Sequence, residues 1–337
     1  MVNVFILKSY NRMSDLSVTY LGLNLKNPLI IGSSGLTDSS DKIARLAENG
    51  AGAVVLKSIF EEQINFEAGN MLVEDQYPEA GDYLMNYVRN NSIDNYLRLI
   101  EDSKKQSGIP VIASINCIST GEWVTFAKLV EESGADALEL NVYNLPTDIT
   151  NTSEQYEKKY YNLVSAIKKE TNIPLSVKLA QNFTNLPALV HNLYKRGVQS
   201  VVLFNRFYAP DINVDRIEFK PAELFSSNTE IRNSLRWVGI ISSVVNQIAV
   251  CASTGIHDGE AVIKQLLAGA ITVQLCSTLY KNTPGYLKQI IVDIENWMDK
   301  NTFNDISEFR GRLNYKHIKD PSVFERSQFM KYYSDKK

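Results

Sequence analysis

Residues Pro110–Val142 read PVIASINCISTGEWVTFAKLVEESGADALELNV. Two short apolar runs, Pro110–Asn116 and Ala135–Val142, flank a segment, Trp123–Glu132, with helical apolar spacing. Ser133-Gly134 closes that segment, and glycine just past a helix is the expected C-terminal stop. The two runs are continuously apolar rather than alternating, which fits strands buried on both faces in a parallel sheet. The stretch is therefore a strand–helix–strand unit, and the rest of the chain repeats it.

Outward from this unit, further strands are predicted at Asn27–Ser33, Ala51–Ser58, Pro174–Ala180, Ser200–Arg206, Gln247–Thr254 and Ala270–Ser277. Helical patterns fall at Asp38–Glu48, Tyr156–Glu170, Leu186–Lys195, Ser234–Val244, Gly259–Leu267 and Gly285–Trp297. Turns at Asn49-Gly50, Arg196-Gly197 and Ala268-Gly269 end three of them. Eight strands alternating with helices predict an α/β fold, a (β/α)8 TIM barrel, forming one domain over residues 1–337. Long connections follow strands two, four and six, at about Ile59–Asn91, Tyr143–Ser153 and Phe207–Asn233. In a barrel they lie on the C-terminal face, where active sites are built. Residues 301–337 are expected to form an extension packed on the barrel or on a partner subunit.

Composition narrows the function. Hydrophobic residues make up 44% and charged residues 22%, an ordinary globular balance. The net charge of −3 is spread along the chain and leaves no basic stripe, so nucleic acid is not an expected partner. The partner expected is a small molecule, and a homodimer is left open. Cys117, Cys251 and Cys276 form no C-x-x-C pair, which argues against a metal cluster or disulfide framework and for a reducing cytoplasm. The apolar run Val2–Leu7 is too short for a signal sequence, and no stretch reaches the ~20 apolar residues of a membrane helix.

Chemistry is expected where strands hand over to loops. Strand two ends in Lys57, strand four in Asn141 and strand six in Asn205, and strand five carries Lys178. Two lysines and two amides would converge on one cavity. After strands seven and eight come Ser253-Thr254-Gly255-Ile256 and Cys276-Ser277-Thr278. Small residues before helix starts free backbone N–H groups to hold a phosphate. A phosphate cradle beside central lysines suits a phosphorylated cofactor such as FMN. A lysine on strand two or five could instead form a Schiff base, as in barrel aldolases.

The residues also resemble a known family. N-P-L-x-x-x-S-S-G-L (Asn27–Leu36), G-A-V-V-x-K-S (Gly52–Ser58), V-I-A-S-I (Val111–Ile115) and G-A-D-A-L-E-L-N (Gly134–Asn141) resemble the dihydroorotate dehydrogenases. So do V-K-L (Val177–Leu179), Asn205, T-G-I (Thr254–Ile256) and G-A-x-x-V-Q-L-C-S (Gly269–Ser277). Several segments are equally similar to the FMN barrel domain of dihydropyrimidine dehydrogenase. The order and spacing carry the likeness, over roughly Leu21–Leu287. It implies an FMN-dependent oxidoreductase acting on a CH–CH bond, converting dihydroorotate to orotate in pyrimidine biosynthesis.

The resemblance places Ser34, Gly35, Ser58 and Asn116 along the flavin and Lys178 at its pyrimidine edge. It places Lys57 between flavin and substrate, and Gly255, Cys276, Ser277 and Thr278 around the phosphate. Asn141 and Asn205 would bind substrate together with Lys57; Asn141 and Lys57 would also contact the flavin, and Lys57 would take part in catalysis. A positive charge beside the ring stabilises the anionic reduced flavin.

The departures fall on the substrate side. The family pattern Asn-x-Ser-Cys-Pro-Asn becomes Asn141-Val142-Tyr143-Asn144-Leu145-Pro146. Asn144 stands where the Cys or Ser base is expected, and an amide accepts no proton at neutral pH. Tyr143, Thr147 and Asp148 are the nearby groups that could take that role. Pro146 replaces a substrate-binding asparagine, and only Glu67-Ala68-Gly69-Asn70 stands near the family's missing Asn-Pro-x-Pro-Arg. Arg206 follows Asn205 where a small hydroxyl residue is usual, and could bind an anion the family does not use. Another dihydropyrimidine or an enone is therefore a rival substrate, and a flavin-binding protein without turnover is a further alternative.

Overall fold

The chain enters the fold through a hairpin, β1 (Val18–Tyr20) and β2 (Leu23–Leu25), paired antiparallel. Its two-residue turn is Leu21-Gly22, with φ of 54° and 76°. Positive φ at both central positions matches the twist of the flanking strands, which is why a glycine sits there. The computed structural model describes residues 14–60, 81–116, 121–142, 145–207 and 209–325, with backbone alone for 81–90 and 122.

Behind the hairpin, eight parallel strands close on themselves. They are β3 (Leu29–Ile31), β4 (Ala53–Val55), β6 (Val111–Asn116), β7 (Ala137–Asn141), β8 (Leu175–Leu179), β9 (Ser200–Leu203), β12 (Ala249–Ser253) and β13 (Thr272–Leu275). Each pairs in parallel with the next, and β13 returns to β3 through Gln274 opposite Ile30. A two-residue strand, β5 (Ile59–Phe60), prolongs β4 along β6. This is the (β/α)8 barrel the alternation predicts.

Helices wrap the outside: α1 (Ser40–Glu48), α2 (Gly81–Ser107), α3 (Gly121–Glu132), α4 (Ser153–Glu170), α5 (Leu186–Tyr194), α6 (Ile231–Val244), α7 (Gly259–Ala268), α8 (Ser277–Lys281) and α9 (Tyr286–Lys300). In α4, Tyr160, Leu163, Val164 and Ile167 form the buried stripe, and a Thr152–Gln155 capping box fixes its start. Gly269, at φ 117°, stops α7 in the left-handed region that favours glycine.

Four elements depart from the sequence expectation. The hairpin β1–β2 was not expected, because three-residue strands are below the reach of a periodicity reading. The same holds for the five-residue α8. No predicted helix covers α2, which begins inside the long connection expected after strand two and runs on past it. The connection Phe207–Asn233 contains a second hairpin, β10 (Pro210–Asn213) and β11 (Glu218–Pro221), nearly all exposed. Past α9, Gly311 and Leu313 donate backbone hydrogen bonds to Leu266 and Leu267, and Tyr315 to Gly239, laying the segment along α6 and α7.

The barrel is closed below. Tyr20 is 1% exposed, and its hydroxyl accepts from Ser200 Oγ at 2.9 Å at the start of β9. Among the described residues no helix is long and apolar enough to cross a membrane.

Candidate active site

The floor of the site is a polar chain that crosses the barrel interior. Lys178 on β8 is buried, and its Nζ donates to Gln274 Oε1 on β13 at 2.8 Å. Gln274 Nε2 donates to Glu139 Oε2 on β7 at 2.6 Å, and Nζ lies 3.9 Å from Glu139 Oε1. Burial pushes the Glu139 carboxyl up, while Lys178 and the Gln274 amide pull it down; burial dominates. Glu139 Oε1 has no hydrogen-bond partner among the described residues. Gln274 takes one of the three ammonium donors, and the lysine also lines the cavity above it.

One layer higher, Asn205 Nδ2 donates to Asn141 Oδ1 at 2.5 Å, joining the ends of β7 and β9. Across the mouth, a row of hydroxyls ties three strands. Ser33 Oγ meets Ser58 Oγ at 3.0 Å, and Ser58 Oγ meets Ser114 Oγ at 2.7 Å. Tyr96 OH receives the Ser114 amide at 2.7 Å and locks that row from behind. Ser34 Oγ donates to Gly32 O at 3.2 Å, beside Gly35, whose added Cβ would meet Tyr280 OH at 2.9 Å. Asn116 ends β6, half-buried.

The loops after β12 and β13 form the far wall. Thr254 and Gly255 both take positive φ, 78° and 77°. A Cβ at Gly255 would stand 2.2 Å from the Ile231 amide nitrogen, so this loop presses directly on the start of α6. Thr278 is buried, its hydroxyl donating to His257 O at 2.9 Å. His257 Nε2 meets Ser226 Oγ at 3.0 Å, and burial, then the Lys281 charge, hold the imidazole below its ordinary value. Ser277 Oγ accepts the Ser226 amide at 3.0 Å, and Cys276 is half-buried at the mouth. Burial pushes the Cys276 thiol up, so it is not a ready thiolate.

Between floor and walls lies a cavity of about 170 Å³. A single water needs only about 10–15 Å³ of such space, so the cavity is sized for a ligand group. Lys178, Asn205, Gly255, Cys276 and Ser277 line it, with Asn141, Ser34, Ser58 and Thr278 one hydrogen bond or one residue behind. Lys57 stands at the end of β4 with an exposed side chain, outside that lining. Tyr143, Asn144 and the Glu67–Asn70 stretch lie outside the described residues. Thr147 and Asp148 are exposed. The Asp148 carboxylate accepts from Thr150 at 2.9 and 2.7 Å and from Asn151 Nδ2 at 2.5 Å. These bonds hold it below the usual carboxylate range, which makes it a poor proton acceptor.

Arg206 does not face the cavity as a free cation, as the sequence reading allowed. Its guanidinium is committed to Glu230 and to loop carbonyls. Sequence reasoning also missed Glu139 and Gln274. Both sit mid-strand within quoted segments, and a polar residue two positions before a strand-end amide or thiol was the available signal. Among the described residues no group of His, Cys, Asp or Glu is placed to hold a metal ion.

The family model described as dihydroorotate dehydrogenase matches residues 15–298. The catalytic subunit of dihydroorotate dehydrogenase B (NAD(+)) from Thermoplasma acidophilum is 27% identical over 307 residues, covering 89% of this chain and 99% of that protein. Its namesake from Thermoplasma volcanium is 27% identical over 314 residues, covering 89% and 98%. The one from Methanosarcina mazei is 26% identical over 305 residues, covering 89% and 96%.

Proposed function

Because this chain belongs to the dihydroorotate dehydrogenase family, an oxidoreductase family acting on CH–CH donors, we propose that it uses FMN to oxidise a dihydroorotate-like ring. The observation that carries the reading is the buried Lys178 at the floor of a cavity rimmed by the Asn141–Asn205 pair and the strand-seven and strand-eight loops. Its Nζ donates to the neutral Gln274 amide at 2.8 Å, while the Glu139 carboxyl stands off at 3.9 Å. A group that gathers negative charge when reduced fits above it.

FMN, when bound, supplies the centre that accepts hydride from the substrate carbon. Lys178, oriented by Gln274, would stabilise negative charge at the ring's pyrimidine edge. Gly255, Cys276, Ser277 and Thr278 would surround the phosphate, and Ser34, Gly35, Ser58 and Asn116 would border the ring. Asn141 and Asn205 would bind and orient substrate amide groups, with Lys57 reaching in from β4. Membership of a redox family removes the aldolase reading of Lys178.

The proton step sets this chain apart. Asn144 cannot serve as base, and Asp148 is a weakened one. We assign the substrate as the point of divergence: a dihydropyrimidine related to dihydroorotate, with Tyr143 as the proton-transferring candidate. Purified protein should release FMN, identified by mass, and its yellow colour should bleach anaerobically with dihydropyrimidines. FAD in place of FMN would sink the cofactor assignment. Absence of bleaching by dihydroorotate and its ring analogues would sink the substrate class.

A further inference from the structure

Arg206 leaves the end of β9 immediately after Asn205 and turns along the cavity wall. Its Nε donates to Glu230 Oε2 at 2.9 Å, and Nη1 donates to Leu224 O at 2.9 Å. Nη2 donates to Glu223 O at 2.9 Å and to Phe225 O at 3.4 Å. From the opposite side, Lys281 Nζ donates to Ser226 O at 2.7 Å. Four consecutive carbonyls, 223 to 226, thus accept from two cations on different elements. The Ser226 amide is held by Ser277 Oγ, its hydroxyl meets His257, and the Phe225 ring stacks on Tyr280 at 5.2 Å.

These residues form no helix or strand, yet Leu224 and Ser226 both line the cavity. A segment without its own backbone ladder keeps one position only if outside donors satisfy it. The guanidinium does so through a rigid planar fork reaching several acceptors at once, a geometry an ammonium cannot copy. Glu230 completes the fork, and its backbone abuts Gly255 of the strand-seven loop.

We propose that Arg206 is a positioning residue that fixes segment 223–226 across the cavity and thereby limits exchange of the phosphorylated group held there. The proposal deepens the FMN reading and rests on it. It also accounts for an arginine where the family resemblance expects a small hydroxyl residue.

The test compares wild type with Arg206→Lys, which keeps the charge and loses the fork, and with Glu230→Gln, a milder disruption. Hydrogen exchange at the Ser226 and Ser227 amides is followed in cofactor-free protein, and FMN dissociation by recovery of free-flavin fluorescence. Loss of charge-assisted hydrogen bonds should speed both in Arg206→Lys by about tenfold or more, with a smaller change in the same direction for Glu230→Gln. Unchanged exchange at both amides in both variants would overturn the positioning role. Faster amide exchange with unaltered FMN dissociation would overturn the link to the ligand while leaving the FMN reading intact. A wild-type protein that binds no FMN at all would sink both.

Discussion

Replacing Gly255 by alanine tests whether the strand-seven loop and α6 are packed without spare room. The added Cβ would lie 2.2 Å from Ile231 N and 2.8 Å from both Glu230 C and Ile231 Cα. All three are backbone atoms, so no side chain can swing aside. Thr254, at φ 78°, shows that a non-glycine residue survives the left-handed region here, so conformation alone does not demand glycine. The φ of 77° at Gly255 costs an alanine about 1–2 kcal/mol, and forcing the first turn of α6 outward adds about 1–3 kcal/mol. Gly255→Ala should therefore lose about 2–5 kcal/mol of unfolding free energy. Urea denaturation followed by circular dichroism, with the slope shared between variants, measures this directly. Thr254→Gly is the control: it relieves strain but forfeits the Thr254 Oγ1 bond to Phe204 O, so its net change should stay within about 1 kcal/mol. A loss below about 1 kcal/mol for Gly255→Ala would mean that α6 yields freely, and the tight contact would carry no weight.

Lys178→Ala removes the ammonium from the cavity floor and should weaken FMN binding about tenfold or more, on the scale of a lost charged hydrogen bond. Equal dissociation constants by fluorescence titration would show the lysine to be structural. His257 is held below its ordinary value of 6.5 by burial and by Lys281, against smaller opposing pulls from Ser226, Asp258 and Glu230. A depressed imidazole favours the folded state above the unfolded pKa, and that contribution disappears as pH falls through the folded one. Wild type should thus lose stability relative to His257→Gln as pH drops below about 6.5, read by denaturation at several pH values; parallel curves for the two proteins would contradict it.

The barrel was legible because parallel strands buried on both faces announce themselves as continuous apolar runs such as VVLF and AVVL. Most helices were legible from their stripes, and Gly269 from its place after α7. The turn Leu21-Gly22 and the helix α8 are too short to carry a period. At the site, Lys178, Asn141 and Asn205 stood out because a polar residue ending an apolar run needs an explanation. Glu139 and Gln274 need the same explanation, but their roles emerge only from the contacts that join three strands across the interior. Arg206 shows the limit from the other side: sequence places a cation at a strand end, but its acceptors lie 17 to 24 residues downstream.

The closure of β13 on β3 has a consequence for synthesis. Leu29–Ile31 can pair with β4 as soon as residue 55 has emerged, but its other edge waits for Thr272–Leu275. Tyr20 likewise waits for Ser200 before its hydroxyl is satisfied. For most of translation the nascent chain therefore carries an open, apolar strand edge, the feature most prone to pairing with the wrong neighbour. Changes in the fully buried Leu29, Ile30 and Ile31 should therefore lower folding yield in addition to the stability lost with their packing.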